Sequence, residues 1–110
     1  MSPEATNVTW LAPWHPIVGG QPDDSTAKEL YSELCDRHML YGLMARPIAH
    51  RQDCDTFLFE LLDETGRYAV VHLTYAQHPE INSNWPETSI VNSWTDFLKL
   101  MQEDALEWNT

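Results

Sequence analysis

Two apolar segments separated by a four-residue turn constrain this chain more than anything else in it. In Thr56–Leu62, Phe57, Phe59 and Leu61 alternate with Thr56, Leu58 and Glu60; Tyr68–Tyr75 reads Tyr-Ala-Val-Val-His-Leu-Thr-Tyr. Aromatic and β-branched residues in short runs of this kind form strands. Between them, Asp63-Glu64-Thr65-Gly66 has the residues of a turn, with its glycine at the end. The two segments therefore pair as an antiparallel hairpin. Leu58 and Leu62 blur the alternation and leave apolar groups on both faces. Such a hairpin belongs in the middle of a sheet rather than half in water.

Helical patterns flank the hairpin. Asp23, Asp24 and Ser25 offer N-caps, and Thr26 to Glu29 has capping-box spacing. Ala27, Leu30, Tyr31, Leu34 and His38 make one apolar stripe, with Glu29, Glu33 and Asp36 off it and facing water. This helix is expected to stop by Tyr41–Gly42, with Gly42 as its C-cap. Leu43 to His50 can be extended, but Pro47 confines it to an edge or a bulge. Residues 76–92 are loop-like, with a short strand allowed at Thr88–Val91. Ser93 to Asp96 repeats the capping pattern and opens a second helix, with Trp94, Phe97, Leu98, Met101 and Ala105 on one face and Leu106 and Trp108 finishing its packing. Residues 1–22 carry Trp10, Leu11, Trp14, Ile17 and Val18, too apolar to leave in water. They are read as an extended arm on the core, with an edge strand at Ile17–Val18. The sum is one domain, 1–110, of class α+β: a small, strongly bent antiparallel meander with an N-terminal and a C-terminal helix. Closure into an Sm- or SH3-like barrel is the architectural alternative; it carries with it an Sm-like role in binding protein or RNA.

Seventeen Asp and Glu stand against six Lys and Arg, a formal net charge of −11 on 110 residues. Five tryptophans argue against a disordered acidic tail. The charge repels nucleic-acid backbones and anionic membrane surfaces, and it attracts a basic protein partner. Plain solubility is the competing explanation. The excess is uneven: residues 76–110 hold six acids and one base, Lys99. Glu80, Trp85, Glu87, Asp96, Glu103 and Asp104 are the candidate partner-binding residues. Cys35 and Cys54 suit a reducing compartment. No apolar run reaches the ~20 residues of a membrane span, and Met1 to Glu4 does not open a signal peptide. The expectation is a cytoplasmic protein.

Signals of catalysis are weak. Five histidines lack metal-ligand spacing, although His50 lies near Asp53, Cys54 and Asp55. There is no nucleophile motif and no phosphate loop, so neither a metal nor a cofactor is expected. His72, between Val71 and Leu73, is the best single acid–base candidate. With His50 and Arg46 it makes the candidate ligand site on the meander, the alternative to an inhibitor, immunity-type or adaptor protein for a basic partner.

Read in order, Trp14-His15-Pro16, Glu29-Leu30, Glu33-Leu34, His38, Leu58-Phe59, the Tyr68–Tyr75 string and Glu80 with Trp85-Pro86 form a set of landmarks. The set resembles a group of small bacterial proteins with no assigned function, marked by a Val-Val-His-Leu-Thr-aromatic strand and a Trp-Pro loop. The resemblance covers most of the chain. It implies a bacterial cytosolic source and no particular activity. Tyr75-Ala76-Gln77 departs from the Trp-Ser-Gly usual in that group.

Overall fold

The computed structural model describes residues 9–109. Met1 to Val8 and Thr110 lie outside them, so the arm is described only from Thr9 onward. In chain order the elements are β1 (Trp14–Pro16), α1 (Ser25–Glu33), β2 (Ala45–Arg51), β3 (Thr56–Leu61), β4 (Tyr68–His72), β5 (Glu87–Val91) and α2 (Trp94–Trp108). The strands pair only with their sequence neighbours, all antiparallel, in the order β1-β2-β3-β4-β5. The protein is α+β, and its sheet stays open, with β1 and β5 at the edges. No helix is long and apolar enough to cross a membrane, among the described residues.

The hairpin is central, as its apolar faces require. Phe57, Phe59 and Leu61 point to the back of the sheet, where Ala69, Val71 and Leu73 meet Leu30, Leu34 and Leu40 from α1 and the turns after it. Leu58 and Tyr68 point to the front, where Trp14, Ile48 and Ala49 meet Trp94, Phe97 and Met101. Two apolar clusters therefore sandwich one sheet, and Leu58 belongs to the second of them. The front cluster holds an aromatic chain: Trp10 lies edge-on to Trp94 at 5.9 Å, and Trp14 edge-on to Phe97 at 5.2 Å. Such pairs add about 0.5–1.5 kcal/mol beyond the area they bury.

Several expected boundaries shift. Asp24 is the N-cap of α1 and accepts from the Ala27 N–H at 2.9 Å. The helix ends at Glu33 rather than near Gly42, because the Glu33 carbonyl leaves the helical pattern to accept the Glu80 N–H at 3.0 Å. Residues 35–43 instead form successive tight turns, closed by His38 N–H to the Cys35 carbonyl and Tyr41 N–H to the His38 carbonyl, 3.0 Å each. Glu33 itself is fully buried, not solvent-facing. Pro47 lies in an interior strand, where the β2–β3 register slips between Pro47 and Ala49 and absorbs the missing donor. The edge strand of the arm is Trp14–Pro16, not Ile17–Val18; Val18 is 90% exposed. At the end of α2, Leu106 and Trp108 face water instead of finishing the packing.

Past β1 the arm crosses close over β2. The Ile17 N–H donates to the Ile48 carbonyl at 3.0 Å, and Gly20 is buried against Pro47. A Cβ on Gly20 would lie 2.0 Å from the Pro47 oxygen, a backbone atom that cannot swing aside. Gly20→Ala is expected to destabilise the fold by about 1–3 kcal/mol in urea unfolding, the usual cost of overpacking; Gly19→Ala, where a Cβ meets open space but φ is +74°, should cost about 1 kcal/mol through backbone strain.

Candidate functional site

Helix α2 crosses the front of the sheet on a diagonal. Its first residue, Trp94, packs on Tyr68 at 5.4 Å. Near its other end Asp104 accepts the Trp14 indole N–H at 2.8 Å and pairs with Arg51 at 3.3 Å, at the far corner by β1 and β2. The opposite corner, where β3, β4 and β5 present Thr56, His72 and Glu87 in one cross-strand row, stays uncovered. A groove of ≈ 320 Å³ lies there, lined by Thr56, Val70, His72, Trp85, Glu87 and Ser89. Val70 forms an apolar floor continuous with the front core. Trp85, 43% exposed, supplies an aromatic wall from the loop before β5.

Each side chain is held by its strand or turn. Period-two alternation brings Thr56, Val70, His72, Glu87 and Ser89 to the same face. His72 Nδ1 lies 3.0 Å from the Thr56 hydroxyl. Trp85 is fixed by a turn in which its N–H donates to the Asn82 carbonyl at 3.1 Å and the Asn84 N–H donates to Asn82 Oδ1 at 2.8 Å. Behind it, the Pro86 carbonyl accepts from His38 Nε2 and from the Thr88 hydroxyl, 2.9 Å each. Leu40 N–H donates to His38 Nδ1 at 3.0 Å, so the proton of this buried ring is on Nε2.

His72 lines the groove but is exposed at the end of β4 rather than buried in mid-strand. His50 is on the opposite face, stacked on Phe57 at 4.3 Å and bonded through Nε2 to the Cys54 carbonyl at 3.0 Å. Arg46 is buried in a cross-strand ion pair with Glu60, its Nε 3.1 Å from Oε1. Its row lies four residues along β3 from that of His72, roughly 13 Å away. The ligand trio is thus not brought together. Of the partner candidates, Trp85 and Glu87 share the groove with His72. Asp96 and Glu103 are exposed elsewhere on α2. Asp104 is turned inward to Trp14 and Arg51, and Glu80 accepts the Thr74 hydroxyl at 2.7 Å. No group of three or more metal-ligating side chains occurs among the described residues.

Sequence reasoning passed over Thr56, Val70 and Ser89, and above all Glu33. The Glu33 carboxyl accepts the Thr74 N–H at 2.9 Å and the Tyr75 N–H at 2.9 Å, and lies 3.0 Å from the Thr74 hydroxyl oxygen. Burial and the neighbouring Glu29 carboxyl push its pKa up to about 7, against the opposing pull of those donors. Glu29 four residues earlier was the available signal, since like charges at that spacing sit together on a helix.

Because the folded protein holds the Glu33 proton more tightly than the unfolded chain, this group's stabilisation is complete below about pH 4.5. It is lost as pH rises toward 7 and is flat beyond. Urea unfolding at intervals from pH 5 to pH 8 should show stability falling by up to about 1.4 kcal/mol per pH unit below pH 7. The fall should vanish in Glu33→Gln and shrink in Glu29→Gln. Asp53 and Asp63, held below the usual carboxylate range chiefly by Arg51 and by Thr65 respectively, act only at more acid pH. No protein-family model, curated protein or solved structure matches the chain.

Proposed function

We propose that the protein is an interaction module that docks a basic partner through the front groove, taking a lysine or arginine side chain against Trp85 and Glu87. The observation that carries this is the groove's chemistry: an exposed indole, an exposed carboxylate and polar hydroxyls around an apolar floor, with no Lys or Arg among the lining residues. A cation over an indole face is worth about 0.5–1 kcal/mol when exposed and ~2 kcal/mol when desolvated, and a carboxylate beside it adds direction.

The chain's own bases support the same reading. Arg46, Arg51 and Arg67 are held in ion pairs with Glu60, with Asp53 and Asp104, and with Asp63. Arg37 donates to the Ile81 carbonyl. The arginines are thus engaged internally while Glu87, Asp96 and Glu103 face water. A net charge of −11 draws a basic partner in, and the groove gives it one place to seat. An inhibitor, immunity-type or adaptor role acting in the cytoplasm fits this reading, and free thiols at Cys35 and Cys54 are compatible with a reducing compartment. A small-molecule ligand is the second reading, favoured by a groove of ≈ 320 Å³ and by the Thr56–His72 hydrogen bond in its wall.

An arginine-rich peptide titrated into the labelled protein should shift the Trp85 indole and the Glu87 and Ser89 amides first. Trp85→Ala and Glu87→Gln should each weaken binding by about 5–30-fold, in line with lost cation–π and charged hydrogen-bond contributions. Affinity should fall between 50 and 200 mM salt. Shifts spread evenly over all acidic residues, unchanged in both variants, would overturn the reading.

A further inference from the structure

The aromatic wall of the groove belongs to a segment whose entry is tied to α1 by carboxyl groups. Thr74 Oγ1 lies 3.0 Å from Glu33 Oε1 and 2.7 Å from Glu80 Oε1. A hydroxyl has one proton and can donate to one of them. The other contact is a hydrogen bond only if that carboxyl itself carries a proton. The closed arrangement therefore favours a proton on one of these carboxyls. Glu29 approaches the same Glu33 carboxyl from one helical turn earlier.

The groups facing this cluster are Glu29 from α1, Thr74 and Tyr75 from the chain after β4, and Glu80 from the loop. Beyond them, Asp55 acts on the Tyr75 phenol, which burial and these carboxylates push above its ordinary range. Among the described residues no Lys, Arg or His forms an ion pair with Glu29, Glu33 or Glu80. Arg37 is the nearby cation, and it is engaged with the Ile81 carbonyl. Deprotonation thus leaves carboxylates crowded together without an ion-pair partner.

The same spot holds backbone strain. Tyr75 and Gln77 have φ of 57° and 61°, in the left-handed region that non-glycine residues avoid. Tyr75 N–H is held by Glu33 Oε2 at 2.9 Å, and Gln77 N–H by Glu29 Oε2 at 3.3 Å. The rest of the loop is anchored separately, at Glu80 N–H by the Glu33 main-chain carbonyl, at Ile81 by Arg37 and at Pro86 by His38. Loosening at the carboxyl end would free residues 75–79 and leave the Trp85 turn held by these fewer contacts.

We propose that Glu29, Glu33, Thr74 and Glu80 form a proton-operated latch that holds the Trp85 loop in place when protonated and loosens it when deprotonated, so that pH regulates the groove. This rests on the reading of the groove as a binding site.

The test is nuclear magnetic resonance on the full chain from pH 5.5 to 8.5, with no ligand present. The Glu33 side-chain carboxyl carbon should titrate with a midpoint near 7. The Thr74, Tyr75, Gln77 and Glu80 amides and the Trp85 indole should follow it, losing protection from hydrogen exchange as pH rises. Glu33→Gln should abolish the common midpoint and Glu29→Gln should lower it, while Asp96→Asn leaves it in place. A Glu33 carboxyl titrating in the ordinary carboxylate range overturns the latch, and so does an unchanged midpoint in Glu33→Gln, which would assign the transition to another group. The carboxyl readout is made on the unmodified protein, so it stands even if Glu33→Gln fails to fold.

An arginine-rich peptide added at pH 6 and at pH 8 then separates the two readings. Binding at least 10-fold tighter at pH 6 is expected. A loop that titrates with no peptide binding at either pH overturns the binding reading and supports the latch. Equal binding at both pH values overturns the regulation and leaves the binding reading standing.

Discussion

Glu33 has no solvent exposure, yet its carboxyl group is a junction for three parts of the chain. Its side chain takes the backbone N–H groups of Thr74 and Tyr75, and its own carbonyl takes that of Glu80. A charged carboxyl in that position is expensive unless donors surround it or a proton neutralises it. Both conditions are partly met, which is why its pKa comes to about 7 rather than staying near 4.5. The arrangement decides where α1 ends, how the chain leaves β4, and how the loop bearing Trp85 returns to β5.

The groove follows from what one helix can cover. Fifteen residues of α2 span roughly 22 Å, and five strands side by side are about 19 Å wide. A helix about 10 Å thick laid corner to corner seals the line from Tyr68 to Trp14 and leaves the corner at Thr56, His72 and Glu87 open. On the back, α1 and the turns after it cover Phe57, Phe59 and Val71. At the exposed corner Val70 floors the groove, and Trp85 lines it from the loop before β5. Packing and the candidate site are thus consequences of the same geometry.

The acid excess takes on a definite shape in the fold. Asp53, Glu60, Asp63 and Asp104 are engaged with arginines, and Glu33 and Glu80 are drawn into the carboxyl cluster. Those residues add little to the field at the surface. The acids that face water include Glu87 beside Trp85, with Asp96 and Glu103 farther along α2. Exposed ion pairs such as Arg67 with Asp63 contribute little to stability. The buried aromatic chain through Trp94, Phe97 and Trp14 matters more to the front core.

Period and punctuation alone determined much of this protein. Alternation in 56–62 and the apolar string at 68–75 fixed the central hairpin, the turn at Asp63–Gly66 joined its strands, and helical stripes with Asp24 and Ser93 at their heads fixed where both helices begin, though not where α1 ends. These are local signals, carried by neighbours a few residues apart. Trp85 and Glu87 could be picked from the sequence because a loop tryptophan beside a proline and an acid is conspicuous. Their meeting with His72, and the parting of His72 from His50 and Arg46, could not. Strand register and face decide them, and a single slipped residue at Pro47 changes which face a β2 side chain takes. Glu33 was the hardest to read. Its position on the helix marks it for water, and the donors that bury it come from residues 41 and 42 positions away. Only the folded chain brings those N–H groups to the carboxyl, so only the tertiary structure turns a surface acid into a buried, proton-binding one.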